Sequence, residues 1–532
     1  MCAGQPPKLY ATRRTLKSND IQTEEPGALP RRTLKFTKTS ANSLMKMTYA
    51  DNFRVIGRDQ WCSWTIKVDG KDCPIPIYNS KRDSTSTNDH TPHVIVGTCA
   101  GIVPGSHTMT IVLTRNTGAD CYTGWSPSSA RDAFFLEAEE LNPAGQITSV
   151  TREEAHDDRE SGVVTGRRLI VDKQTAASQL RITWATNLRV RSLNNGGAKC
   201  DWEVLIDGKS CLAPSKIGVS MRPPRGENEH VPVEVVGWCQ GIQKGPHSIT
   251  VMVTKSSSDS SCETGWGTSD YMEVWEPTQE EQALVMYMQK ANTNSASDAS
   301  SSLLTYSFTK RSSYSSVRIL YYDNLRVEGD HNWCRWEVKV DGMSCAAPLA
   351  ASIYHYPDDN DQYPGAILGE CLGVSAGKHK INIALTNSAG AKCHTGWTPG
   401  TRAMHALIEV HEVVATQEPE CNVANSDKQP GLACTCLPGY WGNITWNVKP
   451  IGACTSSFCL VLPLPHARAP LLVFPVSHRS PVRRGPCACA RLYSPLPLAH
   501  HHTYFAFPSP PPFLLSWLES IYHAHTRECR VY

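Results

Sequence analysis

The chain runs to 532 residues, a length that points to about three or four domains. Lys and Arg number 52 against 50 Asp and Glu, for a formal net charge of +2; no polyanion-binding surface is implied for the whole chain, and nucleic acid is set aside as a partner. Twenty-one cysteines exceed what an ordinary cytosolic protein carries, and their regular spacing reads as a disulfide framework made in an oxidising compartment.

The chain opens on MCAGQPPKLYATRRTLKSND, which lacks the apolar core of a secretory leader. The expectation is a true start upstream, with residues 1–29 disordered. A first short strand is expected at RRTLKFTK, from Arg31, and YADNFRV follows at Tyr49–Val55. Next, Cys62, Trp64, Ile66 and Val68 alternate with Ser63, Thr65 and Lys67; a period of two means a strand with one buried face. Asp69-Gly70 then suits a tight hairpin, because glycine takes positive φ without a steric penalty. After GTCAGIVPGSH, the residues His107, Met109, Ile111 and Leu113 share one face of another strand. The unit closes through CYTGW and the apolar run AFFLEAE.

The same order returns twice. RRLIVDK and LLTYSFTK precede WATNLRV (Trp184–Val190) and YYDNLRV (Tyr321–Val327); KCDWEVLIDGKSC begins at Lys199 and WCRWEVKVDGMSC at Trp333. GWCQGIQKGPH and GECLGVSAGKH follow, then CETGW and CHTGW. A spacing of roughly 135 residues is too long for a solenoid repeat and suits independent domains. The units fall at 30–142, 165–277 and 301–415, joined by acidic or Ser/Asn-rich linkers at 143–164 and 278–300. Short strands, frequent turn signals and no helical period give an all-β chain of three tandem antiparallel sandwiches.

Cysteines recur at Cys62, Cys73, Cys99 and Cys121; at Cys200, Cys211, Cys239 and Cys262; and at Cys334, Cys345, Cys371 and Cys393. Four cysteines allow three pairings, and the sequence does not choose among them. Cys62 lies farther from its turn than Cys73, so these two are not cross-strand partners; the reading leans to Cys73–Cys99 with Cys62–Cys121, and likewise in the other units. A catalytic dyad of Cys99 with His107, recurring as Cys239/His247 and Cys371/His379, needs a free thiolate, which a disulfide framework removes. No enzyme is expected, nor any metal or cofactor, and Asp69, Asp207 and Asp341 read as turn residues. Arg54, Arg189 and Arg326 recur inside N(F/L)RV, either to anchor a carboxylate within the molecule or to face a ligand. Trp125, Trp266 and Trp397 lie on Thr-Gly-Trp turns, where a ring packs on the neighbouring disulfide or stacks on a sugar.

Taken together, NLRV, CxWxxxVDGxxC, GxCxGI…GxH and CxTGW resemble the globular C-terminal domain of the collagen triple helix repeat-containing protein family, in three copies over about 340 residues. The resemblance implies a secreted protein of matrix or cell-surface contexts, tied in animals to Wnt signalling and collagen deposition. It also implies a jelly-roll domain, similar to the complement and tumour-necrosis-factor type, that assembles as a trimer. This chain has no Gly-X-Y run, so the collagenous stalk is missing. Two arrangements stay open: an intramolecular pseudo-trimer of the three units, or beads on flexible linkers.

Beyond the third unit, CTCLPGYWG resembles the closing half of an EGF-like module at 420–459, with Cys421, Cys434, Cys436 and Cys454 as its cysteines. Asn443 heads the sequon Asn-Ile-Thr. Residues 460–532 are Pro-, His- and Leu-rich without period or caps and read as a low-complexity disordered tail, within which Cys459–Val476 is too interrupted to span a membrane. The whole reads as a secreted or cell-surface binding protein of the matrix type, presenting three similar domains to extracellular proteins. The alternative is a lectin-like adhesion protein that binds glycans through the turn aromatics.

Overall fold

The computed structural model describes residues 10–17, 26–83, 90–124, 126–127, 132–141, 147–153, 156–158, 161–192, 199–222, 228–255, 260–292, 304–313, 315–329, 331–354, 360–396 and 405–414, with short pieces at 440–441, 445–447, 449–451 and 455–456. Contacts divide the chain into Met1–Phe458 and Cys459–Tyr532. The expected EGF-like cysteines, Asn443 and the tail after 460 lie outside the described residues.

Each repeat is a two-sheet antiparallel sandwich, as its alternating strands require. In repeat 1 one sheet runs Gly27–Lys38, Gly105–Arg115, Gln60–Val68, Lys71–Asp83. The other sets Leu44–Ile56 between Ala133–Leu141 and His90–Cys99, with Asp120–Thr123 also on Leu44–Ile56. Repeats 2 and 3 repeat this topology. The period-two face of Gln60–Val68 points into the core: Cys62, Trp64 and Ile66 are fully buried, as are Met109, Ile111 and Leu113 opposite them. The hairpin turns have positive φ at both central residues, 51° and 76° at Asp69-Gly70, the turn whose twist matches that of its strands. Gly97, Gly237 and Gly369 are forced by packing, since a Cβ there would lie 2.9, 2.7 and 2.3 Å from Ile77, Ile217 and Leu349.

Six disulfides staple the three sandwiches. Cys62–Cys121, Cys200–Cys262 and Cys334–Cys393 form one set; Cys73–Cys99, Cys211–Cys239 and Cys345–Cys371 form the other. This is the pairing to which the uneven placement about the turn pointed. Each bridge is of the kind that contributes roughly 2–4 kcal/mol.

The segments expected to be disordered or linking are in part ordered. Tyr10–Lys17, Ile147–Arg152 and Val285–Ala291 each form a strand on the last strand of the repeat that follows them. Their sequences hid this: YATRRTLK and ITSVTR pair with strands whose partner residues include Glu137 and Glu273, so polar groups sit where an apolar alternation would mark a strand. These lead strands also reach the neighbouring repeat. Thr15 accepts a hydrogen bond from the amide of Glu370 (2.9 Å), Thr151 from Thr98 (2.8 Å) and Gln289 from Trp238 (2.7 Å). The three acceptors occupy one structural position, as do the three donors. Lead strand 1 thus grips repeat 3, lead strand 2 grips repeat 1, and lead strand 3 grips repeat 2.

Two more sets of contacts close the same cycle. Backbone bridges join Arg82 to His230, Arg222 to Gln362 and Tyr354 to His90, one per seam. Deeper in, Lys46 binds Glu273 at 2.8 Å, Arg181 binds Glu409 at 2.8 Å and Arg318 binds Glu137 at 3.0 Å. Lys46, Arg181 and Arg318 are equivalent, as are Glu137, Glu273 and Glu409, so the basic group of each repeat meets the acid of the next and repeat 3 returns to repeat 1. All six are buried. Burial by itself would raise the Glu409 pKa; Arg181 and His411 outweigh it and hold the carboxyl well below its ordinary range. Arg318 and Arg13 do the same for Glu137. The apolar core follows the cycle: repeat 2's cluster also takes in Ala50, Val94 and Phe135 of repeat 1 and Leu320, Tyr322 and Leu407 of repeat 3.

Removing one member of a buried pair leaves an uncompensated charge, at about 3–5 kcal/mol. Glu409→Ala leaves Arg181 with only its longer contact to Glu273, at 3.5 Å, and removes the acceptor of the Trp238 indole N–H, 2.7 Å away. The expected outcome is a loss of that size in urea denaturation of the whole chain. A loss below about 1 kcal/mol would show that the ring carries no stability.

Candidate functional site at the repeat seams

The recurring motifs first resolve into one scaffold device. Cys62 and Trp64 lie two residues apart, as do Cys121 and Thr123; the disulfide joins the first of each, and the Trp64 indole donates to Thr123 Oγ1 at 3.0 Å. Trp202 and Trp336 repeat the bond to Thr264 and Thr395 at 2.9 and 2.8 Å. The glycine after each threonine donates its amide to the carbonyl of Asn52, Asn187 or Asn324. CxW, CxTG and NLRV are thus the three parts of a single latch.

Cys99, Cys239 and Cys371 are in disulfides, so the thiol that a Cys–His dyad needs is consumed. The histidine has a different partner. His107 Nδ1 lies 2.7 Å from Asp69 Oδ2, and Nε2 lies 2.8 Å from the Val103 carbonyl; His247 with Asp207 and His379 with Asp341 repeat the arrangement. Asp69, Asp207 and Asp341 are turn residues, but each also clamps the turn to the start of the neighbouring strand, a pairing the sequence reading missed. The bond to Asp69 raises the His107 pKa and lowers that of Asp69. The histidine contribution is therefore full below 6.5 and lost as pH rises through the raised value. The aspartate contribution is full above 3.8 and lost as pH falls through the lowered one.

The recurring arginines and the described tryptophan meet at the seams. Arg54 stacks on Tyr122 with its Cζ 4.3 Å from the ring centroid; Arg189 pairs with Glu263 and Arg326 with Glu328. Each has an intramolecular partner and stands beside the residue that bridges to the preceding repeat of the cycle: His90, His230 or Gln362. Trp266 is half-buried, its ring 3.9 Å from that of His230, with Arg82 Cζ 5.8 Å from its centroid. Beside it, Ser269 and Thr268 of repeat 2 hydrogen-bond to the Tyr78 carbonyl of repeat 1, so this Thr-Gly-Trp turn docks across the seam. Trp125 and Trp397 lie outside the described residues.

Seam 1–2 differs from the others in charge. Arg82 and His230 face each other there, where seam 2–3 has Arg222 and Gln362 and seam 3–1 has Tyr354 and His90. Burial, followed by the charges of Arg191 and Arg82, pushes the Arg189 pKa down to about 10; burial, Arg189 and Arg82 hold His230 well below its ordinary value. Sequence reasoning missed Arg82 and His230 because the couple does not recur: Arg222 and His90 keep one member each at the other seams.

Repeat 3 contains a second electrostatic exception. Asp51 is held by Arg32 at 3.2 Å and Tyr49 at 2.9 Å, and Arg167 in the position of Arg32 binds Asp270 at 3.0 Å. In repeat 3 that position is Leu304, and Asp323 is left with Tyr321 (3.0 Å), Asn292 (2.9 Å) and its neighbour's amide. Burial without a guanidinium pushes its pKa up to about 7.

Two pH tests follow. Because Asp69 is half-exposed, Asp69→Asn is expected to cost less than about 1 kcal/mol, a loss that is full between pH 3.8 and 6.5 and fades on either side, read by denaturation across that range. Asp323 has the opposite sign: the folded state holds its proton more tightly, so stability falls as pH rises from 3.8 to about 7. Asp323→Asn abolishes that slope, and its stability relative to wild type rises by up to about 4 kcal/mol between pH 4 and pH 8.

Three stretches, 23–131, 146–272 and 286–404, match the family described as CTHRC1, C-terminal domain. The second and third matches take in the lead strands Ile147–Arg152 and nearly all of Val285–Ala291, in what read as linkers. No curated protein matches the chain in sequence. Among solved structures, PNGF-II in space group C2 aligns at a TM-score of 0.24 and 9% identity, over 69% of this chain and 98% of that one. PNGF-II in P21 gives 0.23 and 9%, over 70% and 100%. The Sulfolobus turreted icosahedral virus structure gives 0.17 and 8%, over 76% and 91%. At these scores the likeness carries no argument. Matched three times in the order of its three sandwiches, over the greater part of its length, the chain belongs to the CTHRC1 C-terminal domain family.

Proposed function

We propose that this chain is an extracellular binding protein of the matrix type, in which one polypeptide supplies a closed three-domain head that presents its outer loops to protein ligands. The observation that carries the reading is the closed cycle of repeat-to-repeat contacts inside a disulfide-stapled body. Six disulfides suit an oxidising compartment. Among the described residues no helix is long and apolar enough to cross a membrane. Action by binding rather than by catalysis is supported by the recurring chemistry-bearing residues, whose functional atoms have partners inside the molecule: cysteine in bridges, histidine on aspartate, arginine on a carboxylate or a ring. For the glycan alternative, the described candidate stands at seam 1–2, where Trp266 lies half-buried beside Arg82 and His230.

The reading requires oxidised, exported and compact protein. Cells producing the full chain are expected to release it with the twelve repeat cysteines resistant to thiol labelling, and small-angle scattering should show the three repeats as one compact body rather than three separate ones. Labelled chain should bind unpermeabilised cells saturably and lose that binding once its disulfides are reduced. Recovery of the reduced chain from cytosol, or an elongated flexible particle, would overturn the proposal.

A further inference from the structure

We infer that the seam between repeats 1 and 2 binds an anionic sugar, with Arg82, His230 and Arg191 holding a sulfate or carboxylate substituent beside the Trp266 ring. The inference rests on the glycan reading of this seam and not on the protein-ligand reading.

Two buried donors or acceptors lack a partner here: Arg82 Nε and His230 Nδ1. His230 is 1% exposed, and both side chains lie against Trp266. The local carboxylates are already engaged, and none reaches Arg82 Nε, His230 Nδ1 or Arg191 among the described residues. Asp59 takes Arg82 Nη2 at 3.1 Å, and Glu263 takes Arg189 and His156. Arg191, two residues along the strand from Arg189 on the same face, is exposed and forms no ion pair among the described residues. Burial, and after it the charges of Arg191 and Arg82, lowers the Arg189 pKa, so the three guanidinium groups stand close enough to act on one another, and Arg191 adds a positive charge that pairs with no carboxylate among the described residues. An arriving anion supplies the missing countercharge, and charge-assisted bonds to guanidinium are the strong kind. The half-buried Trp266 gives an apolar wall for a sugar ring. An extended acidic peptide fits less well, because strand addition needs a free edge and the edges here already pair through Arg82 and His230.

Neither of the other seams carries the set. Position 191 corresponds to Ile56 and Glu328 in repeats 1 and 3, and the Arg82–His230 couple becomes Tyr354–His90 or Arg222–Gln362.

The test is calorimetric titration of the full oxidised chain with a heparin hexasaccharide, its desulfated form, neutral cellohexaose and hexaglutamate. Binding of either charged sugar without binding of cellohexaose is expected, weakened at least about tenfold by Arg82→Gln or Arg191→Gln and changed less than about twofold by Arg222→Gln at seam 2–3. Arg191→Gln alters an exposed side chain, so it keeps the test decisive should Arg82→Gln disturb the seam. The desulfated arm tells sulfate from carboxylate. Failure of both charged sugars to bind, hexaglutamate binding as tightly, or an equal loss in Arg222→Gln would overturn the site. None of those results bears on export or compactness, so the two readings fail separately.

Discussion

A basic side chain in each repeat must find a buried carboxylate in the next one, and the rest of the architecture follows from this. Lys46–Glu273, Arg181–Glu409 and Arg318–Glu137 are heterologous contacts, in which one surface patch meets a different patch on its neighbour. Such contacts run on indefinitely unless the rotation closes. Here it closes after three. Replacing a buried ion pair by apolar residues is often neutral or stabilising, so the ring is not explained by stability alone. Its effect is on choice of arrangement: any alternative packing of these faces leaves several charges buried and unpaired. The lead strands act in the same sense, each tied to the sheet of its own repeat and hydrogen-bonded to the repeat on the other side.

Within repeats, the fold was open to reading from sequence because its signals are local. Alternation in CSWTIKV gave a strand, Asp-Gly gave a hairpin with both central φ positive, and three copies of each removed ambiguity. The disulfide pairing was narrowed by the distances of Cys62 and Cys73 from one turn. What stayed hidden is what depends on a partner distant in sequence. Glu137, Glu273 and Glu409 recur at one position of the closing strand, and Lys46, Arg181 and Arg318 at one position of another. Both patterns stand in the sequence, yet nothing local says that they meet across repeats. The lead strands were hidden for a related reason: Arg13 binds Glu137 in the interior, so a charged residue occupies a strand position that faces inward.

Fusing three copies into one chain changes what each seam is free to become. In an assembly of identical subunits all three seams are the same by symmetry, and any change is made three times. In this chain the Arg32 position reads Arg, Arg and Leu, and the carboxylate that it serves moves or stands alone accordingly: Asp51 with Arg32, Asp270 with Arg167, Asp323 without a guanidinium. The bridging positions have diverged in the same way, to Arg82–His230, Arg222–Gln362 and Tyr354–His90.

Divergence among copies bears on where function should be sought. A residue kept in all three repeats is one that the sandwich or the ring needs, and the contacts agree: the latch tryptophans are buried against threonines, the GxH histidines sit on turn aspartates, and the NLRV arginines have partners within the molecule. Recurrence therefore marks scaffold. A ligand that approaches a three-sided body from one direction meets one seam or one set of loops, and its recognition requires residues that the other copies lack. Seam 1–2 has that character, since its positive charge comes from Arg82 and Arg191, which with His230 form a set that does not recur together, while the repeated residues around them hold the two strands in register.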